Sequence, residues 1–279
     1  MARRKLLNDA QRTELWAPAD DEREIIKQYT FSQAELSLIE QKYQAHNRIG
    51  FAVMLCYLRF PGRPLGPKEN PPEVMLEYIS KQIHVPSSEF AKYRNRDQTR
   101  REHLSQLMAE MNSRHFTDEN SRELQTWLLP IAQNTLQPTR IMSLLLDELR
   151  KRHILLPPPD RLEKLCVRAR KRADTVTYQA LTQELTKNQR KLLDGLLKTR
   201  PDSEFTQLTW LRQVPHAPAG KNILLLIKRL LEIRELGIPN TWKHSVPRGR
   251  FERLSSEGLL MTTQNLGKAS SHRRQATLT

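Results

Sequence analysis

The sequence predicts an all-α, multi-helical protein made of two tandem helical units. Three observations predict this class. No stretch alternates apolar and polar residues for long enough to make a convincing strand. Glycine is scarce, at 9 of 279 residues, and the 17 prolines cluster at a few places, as they do when they separate helices. Hydrophobic residues make up 38% of the chain, which at this length is enough for a core without disulfides or metal sites.

The first predicted helix begins at a capping box, Ser32–Glu35, and covers 33–44, because apolar residues follow the box at helical spacing. The next helix, over 46–60, is apolar on most sides and ends at Pro61-Gly62. We therefore expect it to be the central core helix of the first unit. Further helices are predicted over 72–84, 88–94, 97–111, 118–136 and 138–153.

Three successive prolines at 157–159 end this series, because they favour an extended backbone. We therefore predict a boundary between a first domain, 1–155, and a second, 156–279. Helices of the second domain are predicted over 162–176, from a capping box at 186 to 197, and over 204–212, 219–235 and 247–260. The last stretch, 262–279, is polar and basic with few apolar residues, and no helix is predicted there.

The charge balance points to a polyanionic partner. Lysine and arginine number 46 against 31 for aspartate and glutamate, which gives a formal net charge of +15. The two cysteines, Cys56 and Cys166, lie among aliphatic neighbours, which predicts reduced core thiols in a cytoplasmic protein. The longest apolar run, 51–58, is far shorter than the roughly 20 residues that span a bilayer, so no membrane contact is expected.

A ridge of positive charge is predicted on the helix that follows the prolines. At 100° per residue, its apolar side chains share one face, and five cations share an adjacent arc about 16 Å long. These cations are Arg161, Lys164, Arg168, Lys171 and Arg172. An ordinary solvated face is the alternative, but such a face interleaves acids, and only Glu163 and Asp174 are nearby. We therefore expect the ridge to contact DNA phosphates.

A second basic cluster, 92–103, joins a short helix to one with an apolar stripe that starts at Leu104. This arrangement resembles a helix-turn-helix reader, in which the first residues of the second helix contact base edges. Glutamine pairs with adenine and arginine with guanine in such contacts. The candidate DNA-binding residues here are Arg94, Arg96, Gln98, Thr99, Arg100, Arg101 and His103. For Arg100 the alternative is structural, with its stem laid on the core.

Signals of catalysis are poor. The sequence has no glycine-rich phosphate loop, no metalloprotease motif, no pair of cysteines at metal-binding spacing and no nucleophile elbow. The eight histidines are scattered, and none has a second ligand at obvious metal spacing. No catalytic residue and no metal ligand is therefore predicted.

Six short segments resemble a known family. The first two read HNRIGFA, at 46–52, and LCYLRFPG, at 55–62, and the others lie at 98–104, 154–157, 210–213 and 273–278. In these segments the chain resembles the N-terminal region of transposases of the Tn-three family, which move replicative class II transposons. The first segment adds Arg48 to the candidate DNA-binding residues.

The resemblance implies a helical region that recognises the terminal inverted repeats of a transposon. The family's strand cleavage and transfer use metal-binding carboxylates in a segment that we expect to lie outside this chain. No activity and no cofactor are therefore expected of this chain, and Mg²⁺ only of that segment. The implied partner is double-stranded DNA at the nucleoid, with self-association in a transposition complex.

Three other functions stay open at this point. The chain is alternatively a free-standing or truncated DNA-binding regulator, an RNA-binding or protein-binding helical scaffold, or a compact metal-dependent nuclease. The nuclease requires at least two carboxylates that converge on a divalent metal ion. The scaffold requires that the chain bind RNA or a protein partner and show no dependence on DNA sequence.

Overall fold

The computed structural model describes residues 6–67, 69–201, 203–214, 219–238 and 246–279. Over these ranges the chain forms sixteen α-helices, one short 3-10 turn and no β-strand, which confirms the predicted all-α fold. The helices are α1 (Asp9–Trp16), α2 (Glu22–Tyr29), α3 (Gln33–Glu40), α4 (Ala45–Arg59), α5 (Glu73–Ile83), α6 (Phe90–Arg94), α7 (Asp97–Glu110), α8 (Asp118–Asn134), α9 (Pro138–Lys151), α10 (Pro159–Thr182), α11 (Lys187–Gly195), α12 (Gln207–Arg212), α13 (Gly220–Glu235), α14 (Arg248–Leu260), α15 (Thr263–Lys268) and α16 (Ser271–Leu278).

Four helices were not predicted, two at each end of the described chain. In α1 the side chain of Asn8 accepts from the Gln11 N–H in a capping box, a signal present in the sequence. The polar last stretch, for which no helix was predicted, forms α15 and α16, which fold because Leu266 is fully buried and Gln275 and Ala276 are nearly so. Short polar helices of this kind depend on tertiary packing, which a periodicity analysis does not contain.

The helix predicted over 33–44 is shorter in the structure, where α3 ends at Glu40. Tyr43 lies at helical spacing within the predicted range, but its side chain is 92% exposed and supports no buried helical face. The predicted central helix is confirmed as α4. Its residues from Ile49 to Leu58 are all buried, and it contacts α2, α3, α5, α6 and α7.

The chain divides into two compact units, the first comprising 1–128 and 137–167 and the second 129–136 and 168–279. The division falls within α10. The domain boundary predicted between residues 155 and 156 lies inside the first unit and stays a prediction. There the segment before the prolines is buried. Leu155 donates its N–H to the Arg114 carbonyl at 2.9 Å, and Leu156 donates to the Gly62 carbonyl at 2.9 Å.

The first unit is organised by a close contact between α4 and α6. A Cβ atom added to Gly50 of α4 would lie 2.1 Å from Cγ of Tyr93, which means that the tyrosine ring rests directly on the helix backbone. Tyr93 is fully buried, and its ring stacks on the ring of His103 in α7 at a centroid distance of 5.5 Å. One glycine thus allows three helices to meet. Both cysteines are buried, as predicted for core thiols.

The second unit has two small apolar clusters, one around Leu193 and Leu266 and one around Leu181 and Leu254. Among the residues of this unit that the structure describes, the most buried charge is Arg250 of α14, which is 3% exposed. The Arg250 guanidinium donates to the carbonyl oxygens of Ala132 and Gln133 near the end of α8. It also binds the Asp174 carboxylate of α10 at 2.6 Å.

We expect Gly50→Ala to destabilise the first unit, because the added methyl group overlaps a ring that has no free space to move into. Overpacking of this kind costs about 1–3 kcal/mol or more. Urea unfolding and the hydrogen exchange of α4 amides measure the loss. Gly249→Ala in α14 is the control, since nothing lies within 4 Å of the added Cβ. Equal unfolding midpoints for the two variants would contradict the packing described here.

Candidate nucleic-acid interface

The first-unit part of α10 contains two of the five predicted ridge cations. Arg161 is exposed and is engaged, because its guanidinium binds Asp118 at 2.5 Å and lies 4.8 Å from the Phe116 ring centroid. Lys164 is also exposed and has no ion pair within the described part of the chain. Of these two cations, only Lys164 keeps its charge uncompensated.

The acids in the same part of α10 are already bound by another helix. Glu163 is 7% exposed and accepts from Nε of Arg12 at 2.6 Å and from the Leu6 N–H at 3.3 Å. Asp160 accepts from the same arginine at 2.9 Å. These carboxylates are consumed within the unit and do not neutralise Lys164.

The second-unit part of α10 contains the other three ridge cations, Arg168, Lys171 and Arg172. All three are exposed, and none has an ion pair or a side-chain hydrogen bond among the residues that the structure describes. The only acid on this part of the helix, Asp174, binds Arg250 at 2.6 Å and Arg253 at 3.0 Å. The carboxylate is therefore held by α14, and the three cations keep their full charge.

The second basic cluster forms a helix-loop-helix, in which Asn95 and Arg96 separate α6 from α7. Arg96 and Arg101 are exposed and have no ion pair within the described ranges. Gln98 is exposed as well and donates to the Glu102 carboxylate at 3.1 Å. The predicted base-reading side chains thus lie at the start of a helix and face solvent, apart from Thr99, which is half-buried.

Arg100 has a structural role in the first unit. It is 7% exposed, and its guanidinium donates to the carbonyl oxygens of Leu65, Gly66 and Pro67 at 2.8–3.0 Å. These hydrogen bonds hold the guanidinium against the loop, and with only 7% of the residue exposed it offers little surface to a nucleic acid. The prediction that Arg100 contacts DNA is therefore corrected to the structural alternative. The structure adds that the guanidinium of Arg100, and not only its stem, is engaged in the fold.

His103 is likewise placed in the core and not at the surface. Its ring stacks on Tyr93, its Nδ1 lies 3.1 Å from the tyrosine hydroxyl, and Phe51 meets it edge-on at 5.1 Å. Burial, with a smaller contribution from Lys42, lowers the pKa of His103 to about 4. A neutral, buried imidazole is a poor phosphate ligand, which corrects its assignment as a DNA-binding residue.

Two further candidates are half-buried and bound within the first unit. Arg94 donates to the Asn70 side chain at 2.5 Å. Nε of Arg48 donates to the Lys42 carbonyl at 2.9 Å, next to the start of α4. These two arginines, like Arg161, are thus engaged within the unit. The remaining candidates in the first unit are Arg96, Gln98, Thr99, Arg101 and Lys164, and those in the second unit are Arg168, Lys171 and Arg172.

Neither a metal centre nor a membrane segment is found in the part of the chain that the structure describes. Histidine, cysteine, aspartate and glutamate side chains nowhere gather there in a group of three that could hold a metal ion. None of the described helices combines the length and the apolar character that crossing a membrane requires.

Comparison with known proteins identifies relatives of the whole chain. A family described as a domain of unknown function, DUF4158, matches residues 6–169. The chain is 38% identical over 278 residues to the transposase for transposon Tn3926 of Escherichia coli, and 37% identical to the transposase for transposon Tn21 of the same organism. It is 36% identical to the transposase for transposon Tn501 of Pseudomonas aeruginosa.

Each of these alignments covers 100% of this chain and 28% of the relative. The chain therefore spans a little over a quarter of the length of the relatives that it matches. These similarities confirm the resemblance to transposases that the sequence segments indicated.

We expect the first unit to lose stability as the pH falls from 6.5 towards 4, because the unfolded chain protonates His103 near the ordinary pKa of about 6.5 and the folded chain only near 4. The stabilisation is complete above pH 6.5, and about 1.5 kcal/mol of it is lost between pH 6.5 and 5. Urea unfolding at several pH values measures it. His103→Gln should remove this component, whereas His115→Gln, which removes an exposed histidine of the same unit, should keep it. The same pH profile in both variants would refute the assignment.

Proposed function

The chain belongs to the DUF4158 family, and from its transposase relatives we propose that it binds double-stranded DNA as part of a transposase. More closely, we propose that it recognises the terminal inverted repeats of a transposon in a sequence-specific way. The named relatives are transposases for transposons, which supports DNA as the ligand, and the terminal inverted repeats are the target that the resemblance of the sequence segments implies. The net charge of +15 supports a polyanion as the ligand.

The observation that carries the proposal is the uncompensated charge of Arg168, Lys171 and Arg172. These cations are exposed, while the acid of the same helix segment is held by two arginines of α14. In a solvated helix face the acids would point outwards and neutralise the cations. Duplex DNA offers about one negative charge per 1.7 Å of its axis, which suits three cations on two successive turns of a helix.

The start of α7 supplies the candidate for base reading. Arg100 binds three carbonyl oxygens of the loop 65–67, which fixes the first turn of the helix. Gln98 and Arg101, which lie on either side of Arg100 in the sequence, are exposed. Because the backbone of this turn is already fixed, pairing with a base edge orders only the side chains, and each bidentate contact can discriminate between bases by about 1–3 kcal/mol.

We expect the double variant Arg168→Ala/Lys171→Ala to weaken binding to every DNA sequence. Because each lost phosphate contact removes about 0.9 from the slope of log affinity against log salt, the slope should fall by about two. Fluorescence anisotropy with a random duplex at four or more salt concentrations measures it.

The control for this experiment is Lys187→Ala/Lys191→Ala, which removes the same charge from exposed positions of α11. It should leave the slope near that of the parent chain. If both double variants changed the slope equally, the cations of α10 would be no more than part of a diffuse positive surface.

We expect Arg101→Ala or Gln98→Ala to lower affinity for the preferred sequence by about tenfold and to leave scrambled DNA nearly unaffected. The preferred duplex is obtained by enrichment of a random pool with the parent chain, and both affinities are then measured side by side. Equal losses on the two duplexes would place these residues among the phosphate contacts.

Lys81→Ala is the matched control, because it removes one exposed cation from α5 of the same unit. It should change neither affinity by more than about twofold. A pool that shows no enrichment, or a chain that prefers RNA of the same sequence, would contradict sequence-specific DNA binding itself.

A further inference from the structure

The helix α13 presents its apolar side to solvent. Seven of its aliphatic side chains are between 43% and 68% exposed. They are Ile223, Leu224, Leu226, Ile227, Leu230, Leu231 and Ile233. A helix on the surface of a globular protein normally turns such a stripe towards the core. Exposed apolar surface of this extent, on the order of 600 Å², marks an interaction site.

The opposite side of α13 contains the partly buried Leu225 and several polar side chains, and it attaches the helix to the second unit. Arg229 is 4% exposed, donates to the Gln213 carbonyl and places its guanidinium 5.0 Å from the Trp210 ring centroid. Glu232 accepts from the Gln207 side chain and lies 3.6 Å from Arg200. These polar contacts fix the rotation of α13 about its axis, so the apolar side cannot turn inwards without breaking them.

The apolar side is a wide arc. At 100° per residue and with Ile223 at zero, the seven side chains fall between about −80° and +100°. Leu224 and Leu230 are the most exposed of them, at 68% and 60%. Arg234, the cation inside this arc, is in the last turn, where its long stem lets the charge reach water. An arc of this width matches another helix laid along α13.

We propose that α13 pairs with α13 of a second copy of this chain, antiparallel and about a two-fold axis near residue 228. The charges at one edge of the arc favour this occupant and this direction. Lys221 and Glu235, at about 160° and 120° on the wheel, lie beside that edge at opposite ends of the helix. An antiparallel two-fold pair brings equal edges together, which places Lys221 beside Glu235 of the partner subunit, twice.

A parallel pair would bring opposite edges together and leave both of these charges without a partner. The antiparallel pair also makes one unfavourable contact, since Lys228 of the same edge lies at the axis and meets its own copy. Two lysines on one edge of α13 thus have opposite effects on association. These opposite effects of Lys221 and Lys228 are specific to pairing with a second copy, because an unrelated protein bound to the same face would not place a glutamate beside Lys221 and a lysine beside Lys228.

Sedimentation velocity of the full chain at increasing concentration tests the proposal. The parent chain should form dimers, and Ile227→Asp/Leu230→Asp should keep it monomeric with unchanged circular dichroism. The matched control is Leu259→Asp/Leu260→Asp in α14, where the side chains are 73% and 86% exposed, and it should still form dimers. A parent chain that stays monomeric, or a double variant in α13 that still forms dimers, would overturn the proposal.

Charge variants test the direction and do not depend on the apolar substitutions. Lys221→Glu should raise the dissociation constant by about threefold or more, and Lys221→Glu/Glu235→Lys should restore the parent value. Lys228→Gln should lower the dissociation constant, because it removes the repulsion at the axis. If the two lysine substitutions changed association in the same direction, or the double charge exchange failed to restore it, the antiparallel pair would be wrong.

Discussion

The contact between the Tyr93 ring and the backbone of α4 at Gly50 determines how the first unit is built. Because no side chain separates the two, α6 approaches the central helix closely enough for Tyr93 to reach His103 on α7. That stack fixes α7 on one side, and the bonds from Arg100 to the loop carbonyls fix it on another. The exposed residues at the start of α7 are therefore held by buried neighbours, and their direction follows from a glycine on a different helix.

Arginine in this protein serves two purposes that composition does not separate. Arg100, Arg229 and Arg250 are each less than 10% exposed and donate to backbone carbonyl oxygens, so their charges stabilise the fold. Others bind the carboxylates that would have neutralised the basic face, as Arg12 does with Glu163. This pairing leaves Arg168, Lys171 and Arg172 of α10 without a neighbouring acid to neutralise them.

Local signals in the sequence were sufficient for the central helices and insufficient for the side chains of the interface. The apolar run of α4 and its end at Pro61-Gly62 are local features, and the structure confirms them. By contrast, Arg100 and Arg101 are neighbours of the same type, and only one is buried, because the carbonyl groups that select it come from a loop more than thirty residues away. Periodicity likewise revealed α13, but not which way it faces, which depends on contacts with Trp210 and Arg200.

The bonds from Arg250 to the end of α8 have a consequence for the order in which the chain folds. A carbonyl oxygen at the end of a helix has no intrahelical partner, and those of Ala132 and Gln133 find theirs 118 and 117 residues later in the sequence. Loops of that length close slowly, because the chain must search many conformations before the contact forms. During synthesis the end of α8 leaves the ribosome long before α14 exists. The second unit is therefore expected to complete its core only after α14 has emerged, whereas the α4 core of the first unit is complete once Leu155 has emerged.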